Sequence, residues 1–203
     1  MNIIKDILNE DLIIETERLK IYPFKINLKT AQDLFEIYSK STNVENYCDV
    51  FTDFREFCIH QSKRIKTFQN LDNGIIMFII ELKENSKAIG LRNIILDGAY
   101  TMNGQVEINN ENLITEILIS EDYWRNGIAF EASIAIFKLL KVKGVKNVLS
   151  VVDYNNTKAN YLDRKLGFQI INYDQAINQF YYHKDFVIHS TNIKHSNILL
   201  KSL

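Results

Sequence analysis

The spacing of apolar residues changes several times along this 203-residue chain, and each change marks a predicted element. Residues 12–24 (Leu-Ile-Ile-Glu-Thr-Glu-Arg-Leu-Lys-Ile-Tyr-Pro-Phe) alternate in their second half and predict one strand that Pro23 helps to end. Ala31, Leu34, Phe35 and Tyr38 then recur at the 3.6-residue period of a helix. A second stripe of Phe54, Phe57, Cys58, Ile65 and Phe68 predicts a helix near 52–69, with Thr52 or Asp53 as its cap.

Beyond it the pattern becomes β-branched. Residues 75–82 and 88–96, separated by Glu84-Asn85-Ser86, read as a hairpin. A polar stretch at 97–110 leads to a strand from Leu113 to Ser120, then to a helix over about 126–143 carrying Ala132, Ala135, Ile136, Leu139 and Lys143. Gly144 suits its C-terminal stop. Val145–Val152 predicts a strand, Thr157–Leu166 a helix ended by Gly167, and 168–173 and 179–189 two more strands. The expected class is α/β (α+β): one domain over 1–203, with a core of about 12–190 in which helices pack on a central sheet.

Composition narrows the function without naming it. A net charge of −1 and a pI near 6.4 supply no global attraction to nucleic acid or an anionic membrane. Two separated cysteines, Cys48 and Cys58, make neither a disulfide framework nor a metal cluster, and no apolar run reaches the ~20 residues of a membrane span. The opening Met1-Asn2-Ile3-Ile4-Lys5-Asp6 lacks a signal-peptide core, so a cytoplasmic protein is expected.

The junction that carries chemistry is Tyr123-Trp124-Arg125-Asn126-Gly127-Ile128-Ala129-Phe130-Glu131-Ala132, between a strand and a helix. The first turn of a helix presents unpaired N–H groups and the positive end of its dipole, which together receive phosphate oxygens if the backbone is approachable. Gly127 and Ala129 leave that approach open, and Arg125 adds a cation. Gly127 is also readable as an ordinary loop glycine before an amphipathic helix. A P-loop ending in Gly-Lys-Ser/Thr is absent, and the three-glycine dinucleotide fingerprint is not met.

This block resembles the acetyl-coenzyme A signature of the GCN5-related N-acetyltransferase (GNAT) superfamily, and is most similar to the branch of ribosomal-protein N-terminal-amine (Rim-type) acetyltransferases. That branch usually carries Tyr-Trp-Gly-Lys-Gly-Tyr-Ala-Thr-Glu-Ala. Thr16-Glu17-Arg18-Leu19 with Pro23-Phe24 resembles its opening strand, and Asn156-Thr157-Lys158-Ala159 with Lys165-Leu166-Gly167-Phe168 its later segment. The resemblance implies a mixed, mostly antiparallel sheet with a splayed strand pair holding acetyl-CoA, used as co-substrate without metal. It implies pyrophosphate contacts from Arg125, Asn126, Gly127, Ile128, Ala129 and Phe130, and pairing of the pantetheine arm with Leu118 and Ile119. A bulged, splayed strand would offer N–H groups to such an arm and to an oxyanion. Asn156 would touch the cofactor arm; its position equally fits a helix cap.

Amine acetylation needs a proton acceptor. Glu116, an acidic residue in an apolar strand, is the candidate base; an outward, solvated glutamate is the other reading. Glu131 reads as structural, complementing the helix dipole. Ala159 stands where the branch often has Ser, and Asp163 where the superfamily often has a general-acid Tyr; Tyr161 points about 200° around the helix. These departures keep alive a second reading, a GNAT-like module that binds coenzyme A or a partner without catalysis.

Other chemistries find little support. His60, His183, His189 and His195 form no ligand-spaced pair, and no Gly-x-Ser-x-Gly elbow occurs. Lys138, Lys141, Lys143 and Lys146 read as a solvated face, or at most as partners of the cofactor's 3′-phosphate. The acceptor is expected to be a primary amine, on a protein N-terminus or a small molecule, met by a monomer or homodimer. Tyr38, Tyr47, Phe51, Phe54 and Tyr181 are candidates to line its pocket or to fill the core.

Overall fold

The computed structural model describes residues 7, 11–25, 27–44, 50–69, 74–96 and 112–186. Tyr47, Cys48, the polar stretch 97–110, residues 187–189 and His195 lie outside them, as do the side chains of Ile65 and Phe68.

The single strand expected over 12–24 is two strands, β1 (Ile14–Glu15) and β2 (Leu19–Pro23), paired antiparallel. Thr16 makes the turn between them: its hydroxyl accepts the Leu19 N–H at 3.0 Å while its own N–H donates to the Leu19 carbonyl at 2.9 Å. Helix α1 (Leu28–Tyr38) starts at Asn27, whose side chain accepts from the Thr30 N–H at 2.8 Å. It buries Leu34, Ile37 and Tyr38. A four-residue helix, α2 (Ser41–Val44), follows, too short for any period to show in the sequence. Helix α3 (Phe54–Gln69) is capped by Asp53, whose carboxylate accepts the Glu56 N–H at 2.8 Å.

The remaining elements are β3 (Gly74–Leu82), β4 (Ala88–Leu96), β5 (Asn112–Ile119), α4 (Ile128–Val142), β6 (Asn147–Asp153), α5 (Thr157–Lys165), β7 (Gln169–Asp174) and β8 (Gln179–Asp185). Helix α4 begins at Ile128 rather than near 126, because Gly127 has φ 76° and Arg125 φ 62°, values a right-handed helix excludes. At its other end Gly144 has φ 88°, the left-handed stop its sequence position suggested.

One eight-stranded sheet runs β1-β2-β3-β4-β5-β6-β8-β7. Its pairings are antiparallel except β5 with β6, so the expected mixed, mostly antiparallel sheet is what forms. Helices cover both faces. One face packs Ile21, Phe78, Ile94 and Leu113 against Ile128, Ala132, Ile136 and Leu140 of α4. The other packs Met77, Ile79, Leu91 and Leu118 against Leu34, Ile37 and Tyr38 of α1 and Phe57 of α3.

Arg92 interrupts the first of these cores and is 1% exposed. Its guanidinium donates to Thr115 Oγ1 at 2.7 Å and Ser133 Oγ at 2.5 Å, and its carbon lies 4.6 Å from the centre of the Phe137 ring. Burial lowers its pKa to about 10, against the opposing charge of Asp163.

Candidate active site

The site grows from the way β5 leaves its neighbour. The β5–β6 ladder holds only Asn112↔Asn147, Leu113↔Val148 and Ile114↔Leu149; beyond Ile114 the ladder between the two parallel strands ends. On its other side β5 stays paired with β4 as far as Gly90↔Ile119. Leu118 and Ile119 therefore lie on the stretch of β5 whose second edge β6 does not occupy. The bulge expected in this strand belongs to β4 instead. Ile80 faces Gly90 and Glu81 faces Ala88, so Ile89 is the extra residue. Its carbonyl accepts the N–H of Ser120 at 2.9 Å, so the bulge reaches around the end of β5.

From Ser120 the chain makes a 3₁₀ turn, Glu121–Tyr123, and enters the Trp124–Gly127 loop. The Trp124 indole donates to the Ile119 carbonyl at 2.7 Å and so ties the loop to the strand end. The first bond of α4 runs from the Glu131 N–H to the Gly127 carbonyl at 2.9 Å, which leaves the N–H groups of Ile128, Ala129 and Phe130 without an intrahelical acceptor. Left-handed backbone at Arg125 and Gly127, on either side of Asn126, curls the loop into the kind of backbone concavity that binds anions. A Cβ built on Gly127 would meet nothing nearer than the Arg18 Nη2 at 3.6 Å, so the loop is open to an approaching ligand. These features fit a pyrophosphate.

The sequence reading did not single out Arg18 as a site residue, yet it braces this loop. Its Nη1 donates to the Asn126 carbonyl at 2.8 Å. Its Nε and Nη2 reach Glu131 Oε2 at 2.7 and 2.6 Å, and its N–H reaches Oε1 at 3.1 Å, where Thr16 Oγ1 also donates at 2.5 Å. Partial burial pushes the Glu131 carboxyl up, but these donors outweigh it and hold the group below its ordinary value. Glu131 is thus structural, as expected, though through these partners rather than through the dipole alone.

Two cations flank the loop. Lys158 Nζ, at the start of α5, lies 3.6 Å above the Trp124 ring, and Lys165 Nζ, at its end, lies 4.9 Å above Phe130, so α5 runs alongside the loop and the first turn of α4. Lys141 sits instead in the last turn of α4, with Lys143 as its C-cap and Lys146 beyond, about 20 Å of helix from the loop. That distance keeps them from a pyrophosphate held at the N-terminus of α4. Asn156 is the N-cap of α5, accepting from the Ala159 N–H at 3.1 Å.

Glu116 pairs across the sheet with Asn93, two residues from the pair Leu91↔Leu118, and so shares the face covered by α1 and α3. It is half-buried, and the Asn93 amide donates to its Oε2 at 3.2 Å. It is therefore not the fully solvated glutamate of the alternative reading. On the opposite face Asp163 is 4% exposed. Burial raises its pKa, opposed by a hydrogen bond with Ser150 and the charge of Arg92. Tyr161 is 68% exposed and turned to solvent. Among the candidate pocket residues, Tyr38 is buried with its ring 5.3 Å from Phe57 and 6.1 Å from Phe51, part of a packed aromatic cluster. Among the described residues no His, Cys, Asp and Glu gather as metal ligands, and no helix is long and apolar enough to cross a membrane.

A parallel strand pair that splays ahead of a helix-start turn is the arrangement that the resemblance to the GNAT superfamily implies. The family profile described as "Acetyltransferase (GNAT) domain" matches residues 18–169, and the chain belongs to this family. No curated protein matches the sequence. Among solved structures it is similar to a GNAT-family acetyltransferase from Bacillus anthracis, with 18% identity, TM-score 0.65, and 85% of this chain and 98% of that one covered. It is also similar to the acetyltransferase that modifies the N-terminal serine of ribosomal protein L7/L12 in Salmonella typhimurium, with 14% identity, TM-score 0.68, and coverage of 86% and 99%. The microcin C7 self-immunity acetyltransferase MccE, solved with acetyl-CoA and AMP, aligns with 17% identity, TM-score 0.64, and coverage of 84% and 93%. At these identities the neighbours define the shared fold.

Proposed function

We propose that this protein is an N-acetyltransferase that moves an acetyl group from acetyl-CoA to a primary amine by direct attack, acting as a single domain. The observation that carries the reading is the Arg125–Phe130 loop, whose left-handed residues and free helix-start amides suit a pyrophosphate. In this reading Arg125, Asn126, Gly127, Ile128, Ala129 and Phe130 hold the phosphates, Leu118 and Ile119 align the pantetheine arm along the open edge of β5, and Asn156 touches the arm while capping α5.

Acetyl-CoA supplies an activated acetyl group on a thioester. The chain's own task is to hold the acceptor and manage its protons. The acceptor amine loses a proton as its nitrogen bonds to the acetyl carbon, and the thiolate leaves. Glu116 serves as the proton acceptor, directly or through water, because it is the half-buried carboxylate two residues from Leu118 on the face covered by α1 and α3. No neighbour of the leaving thiolate is assigned as its acid: Ala159 has only a methyl group, and Asp163 turns toward Ser150 and Arg92. Proximity then carries much of the acceleration, with water returning the proton.

The acceptor is a protein N-terminus or a small-molecule amine. The direct test is thiol release from acetyl-CoA with a panel of amines and N-terminal peptides, alongside calorimetric binding of coenzyme A. Failure to bind coenzyme A at millimolar concentration sinks the reading. Binding without thiol release for any amine selects the alternative, a coenzyme A-binding module that has lost transfer, which the Ala159 methyl favours.

A further inference from the structure

We propose that Arg18 is a positioning residue for the cofactor turn: locked by Glu131, it sets the direction in which the Gly127 N–H points. The inference rests on the proposed pyrophosphate site and assigns a role that lies 108 residues away from Asn126 in the chain.

A peptide unit is planar and trans, so the carbonyl of Asn126 and the N–H of Gly127 point in opposite directions from one plane. Arg18 Nη1 holds that carbonyl at 2.8 Å, which turns the Gly127 N–H to the side away from the guanidinium. Such a restraint matters most here. The unit joins Asn126 to Gly127, whose φ is 76°, and glycine adopts the alternative backbone angles at little steric cost. With Arg18 removed, this unit is the easiest in the loop to rotate, and rotation would put a carbonyl where an anion needs a donor.

The guanidinium is itself held. Glu131 Oε2 takes its Nε and Nη2 at 2.7 and 2.6 Å, a paired geometry that fixes the plane of the fork and so the aim of Nη1. Thr16 Oγ1 and the Arg18 N–H fasten the other carboxylate oxygen at 2.5 and 3.1 Å. Glu131 is in the first turn of α4, so one carboxylate links the helix that offers the amides to the β1–β2 turn that orients the loop. The contact at Asn126 is made through its backbone. That accounts for how this position can depart from the usual residue of the family while the turn is kept.

The test compares wild type with Arg18→Met, Arg18→Lys and Glu131→Gln, using acetyl-CoA and S-acetyl-pantetheine, which lacks the pyrophosphate. Wild-type binding of coenzyme A is measured first. Arg18→Met is expected to raise KM for acetyl-CoA about tenfold, the factor corresponding to 1.4 kcal/mol, with a smaller change in kcat. The preference for acetyl-CoA over S-acetyl-pantetheine should shrink by the same factor. Lysine reaches Asn126 or Glu131 but not both, so Arg18→Lys should fall between, and Glu131→Gln should shift KM in the same sense. A merely structural role predicts instead that both donors lose activity in parallel, together with melting temperature; that result overturns the proposal. Equal coenzyme A affinity in wild type and Arg18→Met overturns it while leaving the pyrophosphate site intact. Failure of wild type to bind coenzyme A overturns both.

Discussion

Replacing Gly90 by alanine tests whether the geometry of the open β5 edge controls both stability and cofactor use. Gly90 sits at the bulge of β4, directly across from Ile119. A Cβ there would lie 2.4 Å from the Leu118 carbonyl oxygen, 2.6 Å from Ile119 Cδ1 and 3.1 Å from Ile119 Cα. The isoleucine methyl can rotate away, but the carbonyl is backbone. It must retreat by at least 0.6 Å to reach the 3.0 Å below which Cβ contacts are essentially absent. Forcing an extra carbon into a packed region costs about 1–3 kcal/mol. Restricting the unfolded chain by Gly→Ala returns about 0.4–1 kcal/mol. The net loss is about 1–2 kcal/mol, a drop in Tm of about 2–8 °C for a protein of this size. Because the retreating group belongs to the stretch of β5 assigned to the pantetheine arm, KM for acetyl-CoA should rise as well. Thermal denaturation and initial-rate kinetics on the same preparation read both effects. A variant with unchanged Tm and unchanged KM would refute the argument that β5 is held to this position by a close backbone approach. A fall in Tm without a change in KM would separate the strand from the cofactor.

Glu116→Gln should lower kcat by about a hundredfold or more at neutral pH if Glu116 accepts the amine proton, with KM for acetyl-CoA little altered; steady-state rates across pH check it. Gly127→Ala forces an L-residue into left-handed backbone at φ 76°, a strain of about 1–2 kcal/mol, and narrows the approach to the loop; denaturant melts and coenzyme A calorimetry should both register it. Arg92→Met removes the hydrogen bonds to Thr115 and Ser133 and leaves Asp163 without its nearby cation, so urea unfolding should show a loss of about 3–5 kcal/mol. Glu131 has a folded-state pKa below its ordinary 4.5, so its stabilisation is present above that value and lost as pH falls through the lowered one. The difference in Tm between wild type and Glu131→Gln should therefore be constant from neutral pH to about 5 and shrink in more acid solution, where both carry an uncharged side chain.

What could be read from the chain followed the range of the forces involved. The loop at Trp124–Glu131 was legible because glycine, a small alanine and the start of a helix stand side by side, and their chemistry is local. The β-branched runs in 75–82 and 88–96 gave the central hairpin for the same reason. The turn at Thr16 was hidden because apolar residues stand on both sides of it; the strand's break shows in its two bonds with Leu19. Arg18 was legible as part of a motif but not as a brace, since its partner lies 113 residues on. Nothing in Ile-Gly-Leu-Arg-Asn-Ile-Ile marks Arg92 as a core residue; that it points into a core and finds Ser133 depends on how α4 crosses the sheet. The bulge was placed one strand too far along because nothing in Ala88–Gly90 announces which residue the ladder leaves over.

The order of strands bears on how the chain assembles. From β1 to β5 each strand pairs with its predecessor, so the sheet can lengthen as the sequence advances, with pairing partners close in the chain. That progression stops at β6, which inherits only the short ladder with β5. Its long partner is β8, matched from Asn147↔Asp185 to Asp153↔Gln179, and among the described residues β7 joins the sheet through β8. During synthesis, β6, α5 and β7 therefore emerge with one strand edge unsatisfied until residues 179–185 arrive. A nascent chain halted before Gln179 would expose Val148–Val152 along that edge. Susceptibility to proteolysis in chains arrested before and after β8 would register the moment at which the second half of the sheet becomes committed.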